Sequence, residues 1–376
     1  MNITPGGNPG IARLFHIKKS LKQEQPGYSS TGGFTSPLAS SYSSSTTTSL
    51  RTFIGKNQFR LELIRLYERS PAFRNTLYSL MANCYQCSAS DRRDMVYALL
   101  GLTEDGSAGY SIKVDYSRST QAVDVFIAAI KAIINVEGEY PFNLSRGSGT
   151  PSAVPSWIPD FEDLEEQVSV FGIRTRTDFK AGGPGIPSVD CLDRDKTMNI
   201  AGIEVARLDR NLAPTYNGSS TETDALRAWV GLVTRHFSQR GPLTEEVVRS
   251  FLAVIWDREL QWRELPARLI ADQVNLVLAL TDVVVARDLE LRRAVGPARF
   301  FISHDDIMGL VPGNAEPGDL IFVPCAARAP IVVRETEMQG QFTVLGECYV
   351  HGIMEGQLFN EDGTPKAHEI TTIDLV

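Results

Sequence analysis

A chain of 376 residues with 43% hydrophobic content is long enough to bury one large core or two medium ones. Its 22% charged residues and net charge of −8 give it no overall attraction to nucleic acid or an anionic membrane. Cys84, Cys87, Cys191, Cys325 and Cys348 are odd in number and widely spaced, unlike a secreted disulfide framework.

The N-terminal stretch carries one weak basic cluster, Arg13, Lys18, Lys19 and Lys22, read as a solvated arm. No apolar signal-peptide core follows Met1. Gln25 to Leu50 has no charge and is crowded with Ser, Thr and Gly. It offers too little apolar surface to offset its ordering entropy, so residues 1–54 are expected to be a disordered segment.

Order is expected from Gly55. Phe59, Leu63 and Leu66 recur at helical spacing, and a second helix restarts after Ser70-Pro71. DRRDMVYALLGL, Asp91 to Leu102, follows as a third, with Ser90 or Asp91 as its cap and Gly101 as a left-handed stop. IKVDY reads as a short strand or extended piece. Ser119 to Val136 then places Val123, Phe126, Ile127, Ile130, Ile133 and Ile134 on one helical face. These elements make a helical region over 55–137.

Residues 138–197 form a connection rich in proline and glycine. Within it PSWIPDF, Pro155 to Phe161, is stiffened by two prolines, and Trp157 reads as a core anchor. Region 198–297 opens with a strand, Met198 to Asp209, and continues with helices near Thr223–Gln239, Thr244–Glu259 and Pro266–Val295. The longest apolar tract, Val274 to Ala286, is too short to span a bilayer and contains Asp282.

The last region, 298–376, consists of short β-like runs, ARFFISH, DLIFVP, APIVVRE and QFTVLGECYVHG, split by Pro, Gly and acidic turns. Pro317-Gly318-Asp319 is a turn signal, and Gly346, Gly352 and Gly356 suit bends. The fold class expected is α+β: a mainly helical body with a small antiparallel, barrel-like C-terminal module.

Candidate chemistry is sparse. Cys84 and Cys87 have half-site spacing without a second pair, so incidental cysteines are the plainer reading. Cys348 and His351 would face opposite sides of a continuous strand. The adjacent carboxylates Asp305-Asp306 and Glu104-Asp105 stand beside Gly309 and Gly106 and read as turns. No phosphate-binding loop, dinucleotide fingerprint, zinc-protease or serine-hydrolase motif occurs. Asp91, Arg92, Arg93 and Asp94 read as charges that orient a core-docked helix. No catalytic, cofactor-binding or metal residue is assigned, and no cofactor is expected.

CSASDRRDMVYALLGL, then IKVDYSRSTQAVDVF and VPSWIPDF, and the tail from FFISHDDIMGLVPGNAEPGDLIFVP onward resemble blocks of fungal heterokaryon incompatibility (HET-domain) proteins. The blocks run from about Cys87 to the end, with an unmatched middle. Phe161 stands where the family usually has tryptophan. The Ser-Tyr-Trp-Gly and Cys-Ile-Asn-Gln stretches of the family's N-terminal domain, a domain related to TIR-like folds that include NAD-cleaving members, do not occur here, so no catalytic residue is carried over. The resemblance implies a non-catalytic interaction or regulatory part in non-self recognition and regulated cell death. It implies protein partners; charge, hydropathy and cysteine usage lead us to expect no nucleic acid, no membrane insertion and a cytoplasmic location. The alternatives are an NAD-cleaving or other hydrolytic effector, and a truncated paralogue or incomplete gene model.

Overall fold

A computed structural model describes residues 76–84, 89–103, 109–144, 154–158, 179–187, 190–192, 197–216, 223–255 and 298–376. The expected disordered segment 1–54, the first helix, Cys87, Glu104-Asp105, Phe161 and the helix at Pro266–Val295 lie outside them. The chain divides into two units, Met1–Val125 and Phe126–Val376.

In the first unit the described helices are α1 (Leu77–Cys84) and α2 (Asp94–Leu100). Met95 through Leu100 are all buried, so α2 is enclosed on every side. Its ends differ from the expected ones. Arg93 is the N-cap, in helical conformation with no side-chain cap. The turn before it is already wound: the Asp94 and Met95 amides donate to the Asp91 and Arg92 carbonyls. Gly101 is right-handed (φ −71°). The last carbonyls are satisfied instead by the Leu102 amide on Leu99 and the Thr103 hydroxyl on Leu100, each at 2.8 Å, so no left-handed residue is required. IKVDY is extended and joins no sheet among the described residues.

The unit boundary falls within α3 (Ala122–Ala132), which continues as a π-helical turn, Ile133–Glu137. Gly138, at φ +67°, closes it with its amide on Ile134. A short helical turn at Phe142–Leu144 follows. Later come α4 (Thr223–Ser238) and α5 (Glu245–Ile255).

The strands are β1 (Asp190–Leu192), β2 (Thr197–Arg207), β3 (Ala298–Ile302), β4 (Met308–Pro312), β5 (Leu320–Pro324), β6 (Ile331–Glu335), β7 (Gln341–Glu347), β8 (Tyr349–Val350) and β9 (Thr371–Leu375). Five of them close a barrel in the order β2-β5-β6-β7-β9, with β9 returning to β2, and β1 also pairs with β2. The barrel is mixed and not antiparallel as expected: β7 and β9 run parallel, Gln341 opposite Asp374. β2 sits between β5 and β9, at Gly202↔Pro324 and Gly202↔Thr371. The barrel therefore takes its longest strand from the 198–297 region. Before residue 298 the described elements are the helices α1 to α5 with two short helical turns, and the strands β1 and β2.

Every residue of β5 is buried, as are Ile331, Val332 and Val333 of β6. With both faces covered, these strands are continuous apolar runs, not alternating ones. One side-chain set, including Ile203, Ile321, Val323, Val332 and Leu345, packs with Phe301, Val311, Cys348 and Phe359. A separate sheet, β3-β4-β8, carries α4 and α5 on a core of Trp229, Phe251, Phe300 and Leu310. Trp229 stacks near Phe300 and meets Tyr216 edge-on.

Two glycines are fixed by geometry. Gly346 (φ +142°) lies where the β6–β7 register shifts between Val332 and Val333. Gly309 is a close approach: a Cβ there would lie 2.1 Å from the Tyr349 carbonyl oxygen.

Candidate functional site

The charged start of α2 is a positioning device. The Asp91 carboxylate accepts the Arg93 amide (3.0 Å) and pairs with its guanidinium at 2.8 Å. Arg93 then reaches the carbonyls of Ser117 (2.8 Å) and Thr120 (3.1 Å), and lies over the Tyr116 ring. Tyr116 donates to Asp94, and the Tyr97 and Tyr116 rings meet edge-on at 5.3 Å. Asp115 accepts the Ser117 amide and the Thr120 and Ser117 hydroxyls, which hold its carboxyl below the usual range. The segment 115–120 is thus tied to α2 by backbone carbonyls, which carry no reactivity.

In the second unit, Asp306 occupies a left-handed position (φ +64°) in the β3–β4 turn. Its carboxylate binds His236 Nε2 at 2.7 Å and pairs with Arg240, fastening the end of α4 to the turn. Partial burial opposes ionisation, but these two partners outweigh it and lower the Asp306 pKa. Asp305-Asp306 therefore do lie in a turn. The His236–Asp306 pair, 70 residues apart in sequence, leaves no local signal.

A bidentate charge pair joins Arg334 to Asp319, which is buried. Asp319 also accepts the Glu316 amide at 2.7 Å, and Arg334 donates to the Asn314 carbonyl, so the Pro317-Gly318-Asp319 turn is locked onto β6. Gly318 is at φ +102°, as that turn requires. Ser156 of PSWIPDF is a second pin: its amide and hydroxyl donate to the Val376 carbonyl, and its hydroxyl accepts the Val344 amide. Trp157 and Ile158 beside it are buried, as an anchor requires.

Cys348 and His351 are not brought together as a reactive pair. Cys348 lies in the buried cluster, and burial pushes its thiol well above the ordinary range. His351, half-buried, lines an open groove of about 600 Å³ with Glu245, Glu246, Arg249, Ser250 and Ala253. Burial lowers its pKa, favouring the neutral imidazole. Glu245 and Arg249 are already paired along α5. Among the described residues no group of His, Cys, Asp and Glu is arranged to hold a metal ion. Among them, too, no helix is long and apolar enough to cross a membrane.

These features define a small-barrel protein whose polar clusters serve as structural pins. Residues 280–366 match the model of the Het-6 beta-barrel domain. The chain is 23% identical over 356 aligned positions to heterokaryon incompatibility protein 6, OR allele, of Neurospora crassa, covering 77% of this chain and 52% of that protein. The heterokaryon incompatibility resemblance read from the sequence is borne out by both matches. The chain spans about half the length of this curated relative. No solved structure matches the chain significantly. The matched range contains β3 to β8, whereas the barrel is closed by β2 and β9, both outside it.

Proposed function

We propose that this chain is the interaction or regulatory part of a heterokaryon-incompatibility-like protein, acting in fungal non-self recognition and regulated cell death. It works without catalysis, in the cytoplasm, through protein partners. The observation that carries this reading is the barrel itself. Its strand β5 and residues Ile331 to Val333 of β6 are buried on both faces by apolar side chains, and Asp319 and Arg334 are spent on a turn. A scaffold of that kind presents a fixed outer surface to a partner without committing side chains to chemistry.

The test is expression of this chain in a filamentous fungus. Alone it should leave growth unchanged. Expressed beside a resident heterokaryon incompatibility protein, it should weaken or strengthen that protein's cell-death reaction. Death caused by this chain alone would contradict the reading.

A further inference from the structure

Glu347 ends β7 with only 3% of its side chain exposed. Arg328, itself 11% exposed, places Nη2 at 3.9 Å from Oε1, beyond hydrogen-bond reach. The backbone amide of Asn143, in the turn Phe142–Leu144, donates to the carboxylate. The second oxygen, Oε2, is buried and has no hydrogen-bond partner among the described residues. One distant cation and one amide are weak support for a buried ion, whereas the neutral acid escapes most of the desolvation cost.

We propose that Glu347 is a proton-operated latch between β7 and the segment 139–144, closed when its carboxyl is protonated and loosened when it is ionised. Opening admits water to Oε2 and releases one proton to solvent; closing takes one up.

The facing groups set the direction. Burial acts most strongly, disfavouring the ion. Arg328, from the turn between β5 and β6, pulls the other way. Glu139 repels an ionised Glu347, and the Asn143 amide favours it. The neighbouring Cys348 thiol stays protonated, held so by burial and by Glu347. The balance lifts the Glu347 carboxyl to about 7, so the latch works near neutrality. Glu139 and Asn143 lie on the same short segment, whose Tyr140, Phe142 and Leu144 are buried. That segment can loosen without breaking a barrel ladder.

The experiment is amide hydrogen exchange on the full chain, corrected for intrinsic rates, from about pH 6 to about pH 8. Protection over 139–144 and the end of β7 should fall about tenfold as pH rises, while β5 stays unchanged. Glu347→Gln mimics the neutral acid and should remain protected throughout. If that variant fails to fold, Arg328→Met provides the second arm. Loss of the cation should move the midpoint to higher pH. A flat wild-type profile over 139–144, an unchanged pH response in Glu347→Gln, or a downward shift in Arg328→Met would overturn the proposal.

Discussion

Arg334 grips the Asp319 carboxylate through two parallel hydrogen bonds, Nε to Oδ1 at 2.8 Å and Nη2 to Oδ2 at 2.9 Å. Asp319 is 3% exposed, and its amide and carbonyl are also engaged, by Glu316 and Leu208. Its removal takes two hydrogen bonds from Arg334, which keeps the Asn314 carbonyl, and leaves the Glu316 amide without its acceptor. Asp319→Ala should cost about 2–4 kcal/mol, below the range for a fully buried pair because Arg334 retains some solvent. Asp319→Asn should cost less, since it keeps one acceptor for Arg334. Denaturant unfolding of both variants measures this; equal stability of Asp319→Ala and wild type would refute it.

The helix start in the first unit makes a different prediction. Leu99 is 6% exposed inside a helix whose residues Met95 to Leu100 are all buried. Leu99→Ala should cost about 2–5 kcal/mol through the cavity it leaves. Arg93→Ala should free the segment 115–120, seen as faster amide exchange at Ser117 and Thr120, with a smaller effect on stability. An activity lost in Arg93→Ala at unchanged stability and exchange would identify the charges as functional.

Much of this was legible in the sequence because the relevant signals are local. Met198 to Asp209 alternates, and β2 covers Thr197–Arg207. The apolar runs LIFVP and IVVRE are strands, and Thr223–Ser238 is a helix close to its expected span. What was not legible depends on distant partners. β4 is hidden in MGLVP, a short apolar run with both faces buried, and its Gly309 is explained by the Tyr349 carbonyl and the Phe301 ring. The parallel β7–β9 pairing and the return of β9 to β2 join segments far apart in sequence, so the barrel's mixed character could not be read from strand patterning. The buried state of Glu347 likewise comes from Arg328 and the 139–144 segment, not from its neighbours in LGECY.

Gly309 tests the close approach directly. Its ideal Cβ would meet the Tyr349 oxygen at 2.1 Å and the Phe301 ring at 2.5 Å. Backbone on one side and a buried ring on the other leave little room to give. Gly309→Ala should destabilise by about 1–3 kcal/mol or more, read by thermal unfolding. Gly340→Ala provides the contrast. It has open space around its Cβ position and only a positive φ of +82° to object. It should cost less, about 1 kcal/mol.

Stability of the second unit should depend on pH through Glu347. Its carboxyl is raised from 4.5 to about 7 in the folded protein. The folded state therefore holds a proton that the unfolded state has lost between those values. Stability from this group is fully present below about pH 4.5 and declines as pH rises towards about 7, by about 1.4 kcal/mol for each pH unit crossed, then levels off. Glu347→Gln should flatten that decline. A wild-type profile that rises over the same window, and is unchanged by the substitution, would assign the opposite sign.

Whether this chain acts through binding or through chemistry is decided by incubating the purified chain with NAD and following its consumption. A chain that only binds should give no turnover above a heat-killed control. Turnover above that control, abolished by a point change within this chain that leaves it folded, would contradict the binding role.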